Sequence, residues 1–136
     1  MHVLGIGTDI IECLRIAKMI ERYGERFLCR VFTNHEIAYC QRRHAASQHF
    51  SGHWAAKEAV LKTLGAQPAR GLSFRDMEIR NDDFSAPQVA FRGNLRDVVE
   101  RTGIQDFRIS ISHCRTHATA LVVALGQSDP EPEQDG

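Results

Sequence analysis

The apolar pattern opens on a short run. Residues 2–11, HVLGIGTDII, are β-branched and apolar around two glycines. That composition predicts a strand whose backbone another element approaches closely. From Leu14 to about Val31 the apolar positions Leu14, Ile16, Met19, Ile20, Tyr23, Phe27 and Leu28 fit one face of a helix. Thr33 and Glu36 in TNHE form a capping-box signature that starts a second helix through the Tyr39 region. A third helix is predicted over SQHFSGHWAAKEAVLKTLG, with Gly65 as its C′ stop. Wound at about 100° per residue, the segment from Gly52 to Gly65 puts Trp54, Ala55, Ala56, Ala59, Val60, Leu61 and Leu64 on almost every side. A helix apolar all round is expected to be buried. Lys57, Glu58 and Lys62 nevertheless sit inside it.

Beyond it, AQPARGLSF reads as loop, and MEIR and QVAFR as two strands joined across the turn-rich NDDFSAP. NLRDVVERTG is a short amphipathic helix ended by Gly103. FRISISH alternates strictly, CRTH turns, and ATALVVAL is a continuous apolar strand. The order β-α-α-α-β-β-α-β-β puts consecutive strands mostly side by side. It predicts an α+β domain with a mainly antiparallel sheet against a helix layer. A single domain is expected over residues 1–126. The tail over 127–136, QSDPEPEQDG, lacks an apolar anchor and is expected to be disordered and acidic.

Composition narrows the class. The chain has 136 residues, 43% hydrophobic and 25% charged, with a formal net charge of zero. That suits one globular domain and supplies no bulk field for nucleic acid or a membrane surface. Any charged partner must be met by a local patch. Cys13, Cys29, Cys40 and Cys114 show no CxxC spacing and read as reduced, partly buried thiols. No basic leader or membrane-length apolar run appears, so the cytoplasm is the expected location. There is no GxxxxGK[ST] loop, and GIGTDI lacks the third glycine of a dinucleotide fingerprint.

Two carboxylates stand in apolar company: Asp9 in the first strand and Glu58 in the third helix. A buried carboxylate needs a counter-charge, donors or a metal. The simpler readings are a cap for Asp9 and an i, i+4 ion pair of Glu58 with Lys62. The sharper one brings the two acids together around Mg²⁺, which favours oxygen ligands, with Lys62 touching a phosphate. Other candidates weigh less. His49 and His53 have i, i+4 spacing for zinc but no third ligand at a useful distance. In Ser112-His113-Cys114, strand alternation turns His113 away from its two neighbours, which disfavours a Cys–His nucleophile. Arg15, Arg22 and Arg26 on the first helix read as a solvated face, or as a docking patch for something acidic.

These blocks closely resemble one family, the holo-acyl-carrier-protein synthases, a short bacterial class of 4′-phosphopantetheinyl transferases. GIGTDIIECLRI looks like its first signature and FSGHWAAKEAVLKTLG its second; LSFRDMEIRND…AP and ISISHCRTHATALVV follow in order. The resemblance implies transfer of 4′-phosphopantetheine from coenzyme A to a serine of apo-acyl carrier protein, releasing adenosine 3′,5′-bisphosphate. It implies an antiparallel sheet around a long helix, and a homotrimer with sites at subunit interfaces. A neighbouring subunit would then cover one side of the apolar helix. By motif match Asp9 and Glu58 hold Mg²⁺ and Lys62 serves with them as a catalytic residue. His53, Lys62, Gly65, Asn81, Pro87 and His113 fall at substrate-binding positions, and Arg15, Arg22 and Arg26 face the acidic carrier protein.

Two positions depart from the family pattern. Gly52-His53-Trp54 stands where G-R-[FW] is usual, so imidazole replaces a guanidinium that could grip a coenzyme A phosphate. Cys114 follows His113 where a hydroxyl residue is common. The alternatives are a coenzyme A-binding or assembly module without turnover, or the same transfer to a specialised polyketide or peptide synthase carrier.

Overall fold

A computed structural model describes residues 1–65, 72–81 and 86–127. Most of the expected loop after Gly65, the middle of the expected turn at 81–87 and the tail from 128 lie outside the described residues. The elements run β1 (His2–Glu12), α1 (Cys13–Tyr23), α2 (Glu25–Val31), α3 (Asn34–Gln41) and α4 (Ala46–Thr63). A 3₁₀ turn (Phe74–Asp76), β2 (Met77–Arg80), β3 (Gln88–Phe91), α5 (Gly93–Thr102), β4 (Ile104–His113) and β5 (His117–Gly126) follow. The fold is α+β, as expected. The pairs β2–β3 and β4–β5 join consecutive strands, but β1 pairs with the last strand, giving the antiparallel order β1-β5-β4. No helix among the described residues is long and apolar enough to cross a membrane.

The single helix expected from Leu14 to Val31 is two. Gly24 adopts φ 54° and ψ −132°, outside helical space, and separates α1 from α2. Glycine alone enters that region without a Cβ penalty. The apolar stripe continues across the break, so periodicity did not reveal it. The Thr33 capping box is present: Thr33 Oγ1 accepts from the Glu36 amide at 3.3 Å, and Glu36 Oε1 from the Thr33 amide at 3.0 Å.

Helix α4 is the centre of the molecule. The sheet covers one side of it, while α1, α3 and β2 close over the other. Phe50, Gly52, His53, Ala55, Ala56, Lys57, Ala59 and Val60 are all buried. Much of its burial is thus achieved within one chain, while Trp54, Glu58 and Leu61 stay partly exposed and Lys62 exposed. Close approach follows from small residues. Ala118, Ala120, Val122 and Ala124 form the inner face of β5. On β1, a Cβ at Gly5 or Gly7 would collide with the backbone carbonyls of Thr63 and Ala59. Strand alternation then puts Asp9 on the same helix-facing side as Gly7 and Ile11, two residues from that contact.

Candidate active site

Because β1 lies directly on α4, Asp9 reaches the helix where Glu58 and Lys62 emerge. Lys62 Nζ donates to Thr8 O at 2.8 Å and approaches Asp9 Oδ1 at 3.3 Å. The expected i, i+4 pairing of Lys62 with Glu58 is replaced by this cross-element contact. Asp9, Glu58 and Lys62 line one open cavity of about 630 Å³ with Glu12, Arg15 and Trp54. Lys18 and His117 also line it, though no motif in the sequence marks either.

The electrostatics of this cleft favour a cation. Burial, and then the negative charge of Asp9, push the Glu58 carboxyl above the ordinary glutamate range, against the pull of Lys62. A divalent ion between the two carboxylates relieves the repulsion that disfavours the charged form of Glu58. Both protein donors are oxygens, which suits Mg²⁺ and leaves further positions for phosphate and water. Among the described residues no group of three or more His, Cys, Asp or Glu side chains gathers to hold a metal. The residues present thus fit a hard cation shared with a substrate, and not a closed protein cage. His49 and His53 make no zinc pair, since both nitrogens of His53 have other partners.

Lys57 and Glu58 are adjacent in sequence and serve different places. Lys57 is wholly buried, donating to Val31 O at 2.6 Å and Phe74 O at 3.0 Å and pairing with Glu36 Oε1 at 2.6 Å. Burial alone would raise the Glu36 pKa. The hydrogen bond from His53 and the charge of Lys57 outweigh it and hold the carboxyl below its ordinary range. The flanking cations in the helix are thus split: one anchors the core, and the other joins the cleft.

Most of the remaining residues expected at the site lie elsewhere. His53 is five residues from Glu58, about 140° around the helix. With Asn81, Pro87 and His113 it lines a separate cavity of about 200 Å³. His113 Nδ1 sits 2.9 Å from Gln48 Oε1, and its ring meets that of His49 at 4.9 Å. Gly65 ends α4 at φ 69° and lines neither cavity. Of the arginines, Arg15 lines the carboxylate cleft, while Arg26 lines a groove with Met19, Tyr23 and Phe27. Arg22 lies over the Tyr23 ring at 5.4 Å. The role of Glu36 escaped the sequence because a capping box accounts for it locally. A buried lysine in an apolar helix was the signal that it had a second task.

Comparison with known proteins adds to this geometry. The family model described as the 4′-phosphopantetheinyl transferase superfamily matches residues 5–122. A holo-[acyl-carrier-protein] synthase of Rhodopirellula baltica is 43% identical over 123 residues, covering 90% of this chain and 98% of the relative. The solved structure of that synthase from Neisseria meningitidis superposes with a TM-score of 0.81 at 29% identity, over 91% of this chain and 99% of the other. The Helicobacter pylori synthase in complex with coenzyme A superposes with a TM-score of 0.76 at 32% identity, over 88% and 99%.

Proposed function

Since the chain belongs to the 4′-phosphopantetheinyl transferase superfamily, with holo-[acyl-carrier-protein] synthases as its relatives, we propose that the cleft between β1 and α4 carries out that transfer. The substrate is coenzyme A, the acceptor a serine of apo-acyl carrier protein, and the second product adenosine 3′,5′-bisphosphate. The observation that carries the assignment is the convergence of Asp9, Glu58 and Lys62 from two elements on one open cleft.

In this reading Asp9 and Glu58 hold Mg²⁺ through their carboxylate oxygens. When bound, the ion supplies positive charge to the diphosphate of coenzyme A and to the departing bisphosphate. Lys62, tethered by Thr8 O and half-exposed, adds a point charge at the phosphate bearing the pantetheine arm. The serine oxygen forms a bond to that phosphorus as the bridging P–O bond breaks. The bisphosphate takes the bond's electron pair, and the serine proton is lost. Glu58, which lines the cleft, is one group placed to receive that proton, and a water in the cleft would be the other.

Arg15 and Lys18 at the cleft, with Arg22 and Arg26 along α1 and α2, make a basic rim for an acidic carrier protein. Such attraction weakens with salt. The two cavities take different parts of coenzyme A, and their separation around α4 supports sites completed between copies. Exposed Ile6, Ile10 and Leu121 on the outer sheet face support a homotrimer. The transferase unit runs over residues 1–126. Cytoplasmic residence accords with four free cysteines. His53, the departure that favours a module without turnover, lines the smaller cavity and not the carboxylate cleft, so it leaves the Asp9, Glu58 and Lys62 set untouched.

The test is intact-mass analysis of apo-acyl carrier protein after incubation with the protein, Mg²⁺ and coenzyme A. The carrier should gain about 340 Da. No gain, while a control synthase modifies the same carrier, refutes the activity.

A further inference from the structure

His53 lies at the wall of the smaller cavity, yet only 2% of it is exposed. Its Nδ1 is 2.7 Å from Glu36 Oε2, and its Nε2 is 3.2 Å from Asn81 Nδ2. The Tyr39 ring stacks on it at 5.7 Å with planes 21° apart, which keeps the imidazole from swinging outward. Glu36, wholly buried, also accepts from Lys57 Nζ and the Thr33 amide. A carboxylate has no hydrogen to give, so Nδ1 donates. Lys57 already balances the carboxylate, and a second buried cation in the group would be uncompensated. One hydrogen on Nδ1 leaves Nε2 bare, able to accept from the Asn81 amide nitrogen. That acceptance sets the amide orientation and leaves Asn81 Oδ1 buried without a hydrogen-bond partner among the described residues. An unpaired buried acceptor is costly until something donates to it.

We propose that His53 is a positioning residue for coenzyme A: it makes no contact with the substrate, and through Nε2 it holds the Asn81 side chain against which one end of the substrate binds. The relay Glu36–His53–Asn81 ties α3, α4 and the end of β2 into one wall. The position that carries arginine in the resembling family therefore acts here by orienting a neighbour, and not by gripping a phosphate. The inference rests on the reading that the smaller cavity takes part of coenzyme A.

Steady-state transfer with coenzyme A and with 3′-dephospho-coenzyme A tests it. The full chain is compared with His53→Phe, His53→Gln, Asn81→Ala, Pro87→Ala and the double variant His53→Phe/Asn81→Ala. His53→Phe is expected to raise KM for both substrates by the same factor, roughly 10-fold for one lost hydrogen bond, with little change in kcat. Asn81→Ala should do the same, and the double variant should be no worse, because both act through one contact. His53→Gln, which keeps a donor for Glu36 and an acceptor for Asn81, should recover most of the loss.

A His53→Phe effect confined to the 3′-phosphorylated substrate would make the imidazole a phosphate ligand and overturn the proposal. So would additive losses in the double variant, or an Asn81→Ala defect that His53→Phe does not share; these leave the cavity reading standing. If no substitution at 53, 81 or 87 moves KM while Glu58→Ala still abolishes transfer, the cavity reading falls and takes the proposal with it. Should His53→Phe fail to fold, ¹⁵N imidazole shifts of the intact protein decide. A ring with hydrogen on Nδ1 alone supports the relay, and a ring protonated at Nε2 overturns it.

Discussion

Glu36 and Glu58 are two glutamates in one small protein whose surroundings move them in opposite directions. Glu58 faces Asp9 across an open cleft and is pushed up; Glu36 faces Lys57 and His53 in the core and is held down. The first arrangement invites a cation, and the second already contains one. Replacing either cleft acid removes a metal oxygen while relieving repulsion. Asp9→Ala and Glu58→Ala should each cut transfer by about 10²–10³-fold or more, with a thermal midpoint no lower than the parent's. Full activity in either variant would remove the metal role. Glu36→Gln should behave in the reverse way. It strands Lys57 in the core and should cost about 3–5 kcal/mol at neutral pH. The folded pKa of Glu36 is depressed, so its stabilisation is complete above the unfolded glutamate pKa and is lost as pH falls through the folded value. Urea midpoints of parent and variant should therefore converge in acid.

At the level of elements, the site depends on how closely β1 sits on α4. Gly5 and Gly7 bring strand and helix backbones together, and Asp9 follows two residues later. Gly7→Ala has no flexible side chain to displace, because its Cβ would meet the Ala59 carbonyl. It should destabilise the fold by about 1–3 kcal/mol in chemical denaturation and weaken Mg²⁺ binding in calorimetry. A Gly7→Ala protein with unchanged metal affinity would show that the close approach does not place Asp9. Much of this level could be read along the chain. The capping box at Thr33, the stop at Gly65 and the alternation of FRISISH are local patterns with local causes. The break at Gly24 was hidden by an apolar stripe that runs from Tyr23 to Phe27, although a glycine stood at the joint.

Across the whole molecule the residues expected to form one site divide between two cavities around α4. The outer face of the three-stranded sheet keeps Ile6, Ile10 and Leu121 exposed. Apolar side chains gathered on one face mark an interaction surface, and a trimer is the assembly proposed for it. Sedimentation should give three copies for the parent chain. Leu121→Arg should shift it toward monomer and lower transfer with it. A monomeric parent that is fully active would reject the trimer.

Apart from the break at Gly24, order, type and approximate limits of the helices and strands were legible in the linear pattern, because periodicity and capping are set by residues within a turn or two of one another. The acids worth watching were legible too, since carboxylates in apolar stretches need partners. Which partners they have was not. Asp9 meets Lys62 across 53 positions of chain, Glu36 meets His53 across 17, and β1 pairs with the last strand. Such contacts arise when elements pack, and side-chain direction at a distance is decided by that packing.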